Sequence, residues 1–190
     1  LGYGIMIDLR GKAIVVTGGA GFLGRRVVAR LHDMGCAVTA VSDVSGGLYN
    51  PNGLDVSAIN AHVAANPRHL LEGFQGDAVP ISNHGLLTSE VDVLVPAALE
   101  HQLRADNANE VRAKFVVEAA NGPTTREADE ILTRRGILVV PDILANAGGV
   151  VVSYLEWVQD LASYFWSEEE VNQRLKQIMV SSFKDVWERS

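Results

Sequence analysis

Short apolar runs and helical stripes alternate along the chain. Ala13 to Val16, Ala37 to Val41, Val91 to Val95, Phe115 to Val117 and Ile137 to Val140 are strand-length, rich in β-branched residues and bounded by glycine, proline or polar residues. Such runs predict buried strands. Between the first two, Leu23, Val27 and Leu31 recur at helical spacing with Arg25, Arg26, Arg30 and His32 among them, and Gly35 supplies the stop. Asp55 offers an N-cap to a helix through about Ala65, and further helices are predicted near Asp106 to Val111 and from Glu127 to Arg134. The last of these has Thr124 and Glu127 as a capping box and Gly136 as its stop. The stretch from Gly46 to Gly53 reads as turns, and Asn66 to Asn83 as loop. From Val150 the tail reads as one or two helices. Val151, Tyr154, Leu155, Val158 and Leu161 give them an apolar face, and Ser167 with Glu170 makes a capping box for a helix to about Trp187.

The turn after the first strand carries the chemistry. Thr17, Gly18, Gly19, Ala20, Gly21, Phe22, Leu23 and Gly24 break the run, and Gly19, Gly21 and Gly24 fit GxGxxG spacing. In that pattern the first glycine makes a tight turn, the second lets backbone approach a pyrophosphate, and the third packs helix on strand. The next helix aims its N-terminal amides at the phosphates. The second run ends in Ser42 and Asp43, about 20 residues past the last glycine, where a carboxylate can hold the ribose hydroxyls. Strands separated by helices then predict an α/β fold: a doubly wound, mostly parallel, Rossmann-like sheet in three layers with right-handed crossovers. The expectation is a single dinucleotide-binding domain over 1–190, with 1–12 as lead-in and 150–190 as C-terminal helices. Ligands in such sheets sit beyond the carboxyl ends of the strands. Those positions hold Pro96, Ala97, Ala98 and Glu100, then Glu118 to Pro123, then Pro141, Asp142, Asn146, Gly148 and Gly149. Small residues keep the rim open, and Asn121 and Asn146 can both donate and accept, which suits a carboxamide or a ribose.

Composition narrows the class. At 190 residues with 47% hydrophobic residues the chain can build one good-sized core. Its net charge of -7 is scattered, with no basic stripe, which argues against nucleic acid or an anionic membrane as partner. The apolar runs are strand-sized and no charged-then-apolar leader is visible, so the expected compartment is the cytoplasm. Cys36 is the sole cysteine, which excludes an internal disulfide and a cysteine metal cluster; no metal ligand set is expected. Trp157, Phe165, Trp166 and Trp187 concentrate late in the chain, as expected of core or subunit packing.

With the rim residues in view, the chain resembles the C-terminal nucleotide-binding domain of glutamate dehydrogenases. The likeness runs from about Ala37 to Glu188: Ser42, Asp43, Gly46, Gly47, Tyr49 to Pro51 and Gly53; Pro96 to Glu100; Ala120 to Thr125; Pro141 to Val150; Ser153, Tyr154, Glu156 and Trp157. The resemblance implies oxidative deamination of L-glutamate to 2-oxoglutarate and ammonia, with hydride passing to NAD or NADP. It implies that Gly19, Gly21 and Gly24 hold the pyrophosphate, with Ala20, Phe22 and Leu23 among the cofactor-binding residues, and Asp43 the adenosine ribose. Ala97, Ala98, Asn121 and Asn146 would hold the nicotinamide side, and Asn146, Val150 and Ser153 would face substrate. NAD is the expected cofactor, with NADP possible, and a homo-oligomer is possible.

Three departures qualify the likeness. The Thr17 to Gly24 run looks like that of extended short-chain dehydrogenases, where the resembled family usually has a glutamine before its first motif glycine. Ala119 and His101 replace a usual glycine and asparagine. The family's substrate domain, with its catalytic lysine and aspartate, has no counterpart in these residues, so no catalytic residue is assigned and little turnover is expected. Glutamate or 2-oxoglutarate would bind only with a partner domain. An extended short-chain dehydrogenase or epimerase is the alternative enzyme, but it needs tyrosine followed four residues later by lysine. Tyr3, Tyr49, Tyr154 and Tyr164 are followed there by Ile7, Gly53, Val158 and Glu168. A non-catalytic dinucleotide-binding or assembly module is the third reading.

Overall fold

A computed structural model describes residues 8–21 and 24–188. Phe22, Leu23 and most of the lead-in lie outside the described residues. In chain order the elements are β1 (Ala13–Thr17), α1 (Gly24–Asp33), β2 (Ala37–Asp43), β3 (Gly46–Tyr49), α2 (Val56–Ala65), β4 (Val79–Ile81), α3 (Asn83–Leu87) and β5 (Val93–Pro96). A 3-10 turn (Ala108–Glu110) comes next, then β6 (Phe115–Val117), α4 (Arg126–Arg134), β7 (Leu138–Val140), α5 (Asp142–Ala145), α6 (Gly148–Ala162) and α7 (Glu168–Trp187).

The strands form one sheet in the order β4-β3-β2-β1-β5-β6-β7. The five expected strands pair in parallel. β3 and β4 add an antiparallel flap at one edge, where turns and loop were expected. Glycine and proline hide these strands from pattern reading, yet glycine is why they pair. A Cβ on Gly47 would stand 2.9 Å from the Ile81 carbonyl oxygen, so only a bare backbone lets β4 come this close.

Alternation along β1 divides the core between two faces. Ile14 and Val16 join Val28 of α1 and Val56, Ile59 and Val63 of α2 on one face. Val15 joins Leu86 and Leu87 of α3, Leu103, and Ala128 and Leu132 of α4 on the other. β2 carries an irregularity: Ile14 pairs with Val38 but Val15 with Ala40, so Thr39 is the extra residue. That extra residue puts Val38 and Val41 on the same face.

Helix ends obey side-chain chemistry. Asp55 accepts the Ala58 N–H and Ser167 forms a full capping box with Glu170. Gly35, at φ +80°, ends α1. Two expectations shift. α4 is capped by Thr125, whose hydroxyl accepts from the Ala128 amide, because Thr124 is held in a bridge to Leu103. The helix expected over Asp106 to Val111 shrinks to a single 3-10 turn: the Asn107 side chain accepts from the Arg104 amide and donates to the Gln102 carbonyl, competing with helical bonding. The aromatic residues of the tail are not core, since Trp157 is 57% and Phe165 75% exposed. Among the described residues no helix is long and apolar enough to cross a membrane.

Candidate functional site

β1 delivers the glycine turn to the carboxyl rim. Thr17, its last residue, is buried and accepts the Ala97 N–H at 2.9 Å. Gly18 adopts φ +66° and lies so close to the loop after β5 that a Cβ would stand 3.0 Å from the Ala97 oxygen and the Ala98 Cα. Each motif glycine meets a different neighbour. A Cβ on Gly19 would reach Val41 at 2.9 Å, and one on Gly24 would fall on the Gly18 carbonyl. One on Gly21 would press on the Gly18 oxygen at 3.1 Å and, among the described residues, meet nothing else within 4 Å. The first and third glycines therefore close the turn, while the second leaves a bare, exposed cradle just before α1. The Ala20 side chain is buried in the core, so what it offers a ligand is backbone.

Asp43 ends β2 near the same rim, and its carboxylate is engaged. One oxygen accepts the Ser45 amide at 2.7 Å and the Ser45 hydroxyl at 2.5 Å; the other accepts the Leu71 amide at 2.7 Å. These bonds shape the β2–β3 turn and pin the loop before β4. The arrangement fixes a carboxylate at the strand end with lone-pair capacity to spare. Ser42 stands behind it, its hydroxyl accepting the Gly18 N–H at 3.4 Å.

The loops after β5, β6 and β7 are laced together. The Ala119 and Ala120 amides both donate to the Pro96 carbonyl, and the His101 amide donates to the Gly122 carbonyl. His101 sits at φ +53°, a left-handed position that asparagine fills with less strain; Ala119 does not share that conformation and needs no glycine. Glu118 and Asp142, rim positions to which the sequence assigned no role, tie the remaining strands. The Glu118 carboxylate accepts the Asp142 N–H at 3.0 Å, and the Asp142 carboxylate accepts the Gly122 N–H at 2.8 Å. Beyond them Asn146 Nδ2 donates to Asn121 Oδ1 at 2.7 Å. The chain of contacts thus brings the glycine turn, Ala97, Ala98, Asn121 and Asn146 along one rim. Val150 and Ser153 lie exposed on α6 and make no side-chain hydrogen bond among those described.

Glu118 is buried. Loss of solvent pushes its pKa above the ordinary carboxylate range, making it a weaker acid; the nearby Thr124 hydroxyl and the Asp142 amide pull the other way. The Thr124 hydroxyl is close enough to act on that charge, yet meets no group at full hydrogen-bonding geometry. An isolated glutamate directly after an apolar strand was the sequence signal for this residue. Among the described residues no cluster of metal-ligating side chains forms.

A family description, Glutamate/Leucine/Phenylalanine/Valine dehydrogenase, matches residues 4–190. The chain is 49% identical over 188 residues to a glutamate dehydrogenase of Thermotoga maritima, covering 96% of this chain and 44% of that protein. It is 46% identical over 182 residues to a cryptic catabolic NAD-specific glutamate dehydrogenase of Bacillus subtilis, covering 96% and 42%. Other relatives are named as NADP-specific. A crystal structure of a hetero-hexameric glutamate dehydrogenase from Thermus thermophilus superposes with a TM-score of 0.78 at 41% identity, covering 94% of this chain and 41% of that one. The chain spans less than half the length of the curated relatives it matches. The family match, the sheet order and the rim agree: this chain belongs to the glutamate/leucine/phenylalanine/valine dehydrogenase family.

Proposed function

We propose that these residues form the single nicotinamide dinucleotide-binding domain of a glutamate dehydrogenase, the half of a cleft in which L-glutamate is oxidatively deaminated to 2-oxoglutarate and ammonia. The observation that carries this reading is the glycine turn: two motif glycines are closed in by neighbours, whereas Gly21 is exposed and, among the described residues, a Cβ there would meet only the Gly18 oxygen, leaving bare backbone ahead of α1. When bound, the cofactor supplies the hydride acceptor. The chain's part is to hold the pyrophosphate on the Gly19 to Gly24 backbone and the ribose on Asp43. The nicotinamide would lie against Ala97, Ala98, Asn121 and Asn146, with Val150 and Ser153 facing the substrate.

Deamination also needs a base near the amine and a substrate held against the nicotinamide. The lysines here serve other places. Lys114 pairs with Asp92 at 2.7 Å, at the amino ends of the strands, and Lys176 and Lys184 lie in α7. Turnover therefore requires the part of the longer relatives that this chain does not span. Glutamate-dependent NAD reduction by the pure chain, with and without a partner substrate domain, tests this. Activity only in the mixture is expected; turnover by the chain alone overturns the division of labour.

NAD is the preferred cofactor in this reading, because Asp43 repels a 2′-phosphate and residues 44–53 hold no lysine or arginine to neutralise it. Competitive titration decides it, with Asp43→Asn beside Asp43→Ser, since the serine also gives up the bonds to Ser45 and Leu71.

A further inference from the structure

The Asn121–Asn146 bond leaves a defined remainder. Asn121 Oδ1 is taken by Asn146 Nδ2, so Asn121 keeps an amide donor and Asn146 keeps a carbonyl acceptor, with no described protein partner for either. A primary carboxamide offers the complementary pair, one acceptor and two donors. That complementarity exists only while the two asparagines are held in this relation. Neither is held by its own side chain's burial, for Asn121 is exposed and Asn146 half-exposed on separate loops.

What relates the loops is the carboxylate chain beneath them. Glu118, at the end of β6, grips the first amide of α5 through Asp142, and Asp142 reaches back to Gly122, the neighbour of Asn121. Asn146 lies just past α5, its amide bonded to the Asp142 carbonyl at 2.9 Å. Gly122, at φ +52°, makes the turn that presents Asn121, and its amide donates to the Asp142 carboxylate. Both asparagines are thus tied to Asp142, Asn121 by way of its carboxylate and Asn146 through its backbone carbonyl.

We infer that Glu118 is a positioning residue for the nicotinamide end of the cofactor, acting through Asp142 to hold Asn121 and Asn146 as a carboxamide-reading pair. The inference rests on the dinucleotide reading above. Its burial fits the role: a carboxylate removed from water keeps its hydrogen bonds in a low-dielectric setting, where they fix geometry more firmly. Supporting groups of this kind set how well a site is preorganised.

The test separates the two halves of the cofactor. Affinities of the chain for NADH and for ADP-ribose, which lacks nicotinamide, are measured by calorimetry. In wild type NADH binds more tightly. Glu118→Ala weakens NADH by about tenfold and leaves ADP-ribose unchanged, as expected when a buried acceptor that orders the site is removed. Glu118→Gln, whose carbonyl still accepts the Asp142 amide, recovers most of the loss. In an Asn121→Ala background Glu118→Ala costs clearly less than it does in wild type, because one of the two residues it positions is gone. Should Glu118→Ala fail to fold, Asp142→Ala breaks the same chain from its more exposed end and is scored identically. Equal loss for both ligands, full additivity with Asn121→Ala, or no loss overturns the inference while leaving the dinucleotide reading intact. Wild type that binds neither ligand overturns that reading, and this one with it.

Discussion

Gly21 and Gly24 are the same residue type three positions apart, but the spaces around them differ. A side chain at 24 would land on the Gly18 carbonyl, whereas one at 21 would press on the Gly18 oxygen at 3.1 Å and touch no other described residue. Gly24→Ala should therefore lower stability by about 1–3 kcal/mol, the usual scale of overpacking, read as a shifted urea midpoint. Gly21→Val, whose Cβ would sit 3.1 Å from the Gly18 oxygen, should move that midpoint less than Gly24→Ala does and abolish dinucleotide binding in calorimetry; retained affinity would sink the cradle. Carboxylates divide in the same way. Asp92 is held below its ordinary value chiefly by the Lys114 ammonium and then by the Ala13 amide, so its stabilisation is complete above pH 3.8 and is lost as pH falls through its depressed value. Glu118 is shifted up by burial, so folding binds its proton more tightly and stability declines as pH rises from 4.5 through its raised value. Glu118→Gln should flatten stability across the interval above pH 4.5 and leave the acid limb, where Asp92 titrates, in place. Chemical denaturation at stepped pH reads both, and an unchanged slope above 4.5 would count against a titrating Glu118.

At the level of elements, the five parallel strands were legible because short β-branched runs bounded by glycine, proline or polar residues fit the strands of a covered parallel sheet. β3 and β4 were not. Gly46 and Gly47 read as a turn, and Val79, Pro80 and Ile81 are too short a run to stand out from loop. Their pairing is a tertiary fact, fixed by close approach across Gly47. Gly47→Val should force Ile81 away, free the β4 edge and cost about 1–3 kcal/mol. Hydrogen exchange should then show β4 amides losing protection while β1 and β5 keep theirs; intact β4 protection would mean the edge does not depend on the glycine. The site divides similarly. Gly19, Gly21, Gly24 and Asp43 announce themselves by spacing along the chain. The Glu118–Asp142 tie joins residues 24 apart, and only the adjacency of β6 and β7 brings them together.

Over the whole molecule, burial is uneven. The sheet and its flanking helices close two cores, whereas α6 buries only Leu155 and Gln159, and α7 has no fully buried residue. Ile143, Val150, Leu161 and Phe165 are each more than two-thirds exposed, and Tyr154, Trp157 and Tyr164 more than half. A groove of about 440 Å³ between α4, β7 and α7 adds Leu138, Val140, Phe183 and Trp187 to this side, beside the free edge of β7. Val150, Tyr154, Trp157 and Leu161 recur at three- and four-residue spacing along one face of α6, an apolar stripe of the kind that marks an interaction surface. Each buried apolar side chain gained on contact is worth about 1.5–3 kcal/mol, so burying even a few favours association once translational entropy is offset. The chain alone should therefore self-associate reversibly, its mean mass by light scattering rising with concentration. Leu161→Glu with Phe165→Glu should return it to monomer, since each places a charge where apolar contact forms. Both sites lie outside the cores, so thermal unfolding measured at low concentration should barely move. A wild-type chain that stays strictly monomeric at high concentration, or a double variant that still associates, would show that this surface is not what drives contact.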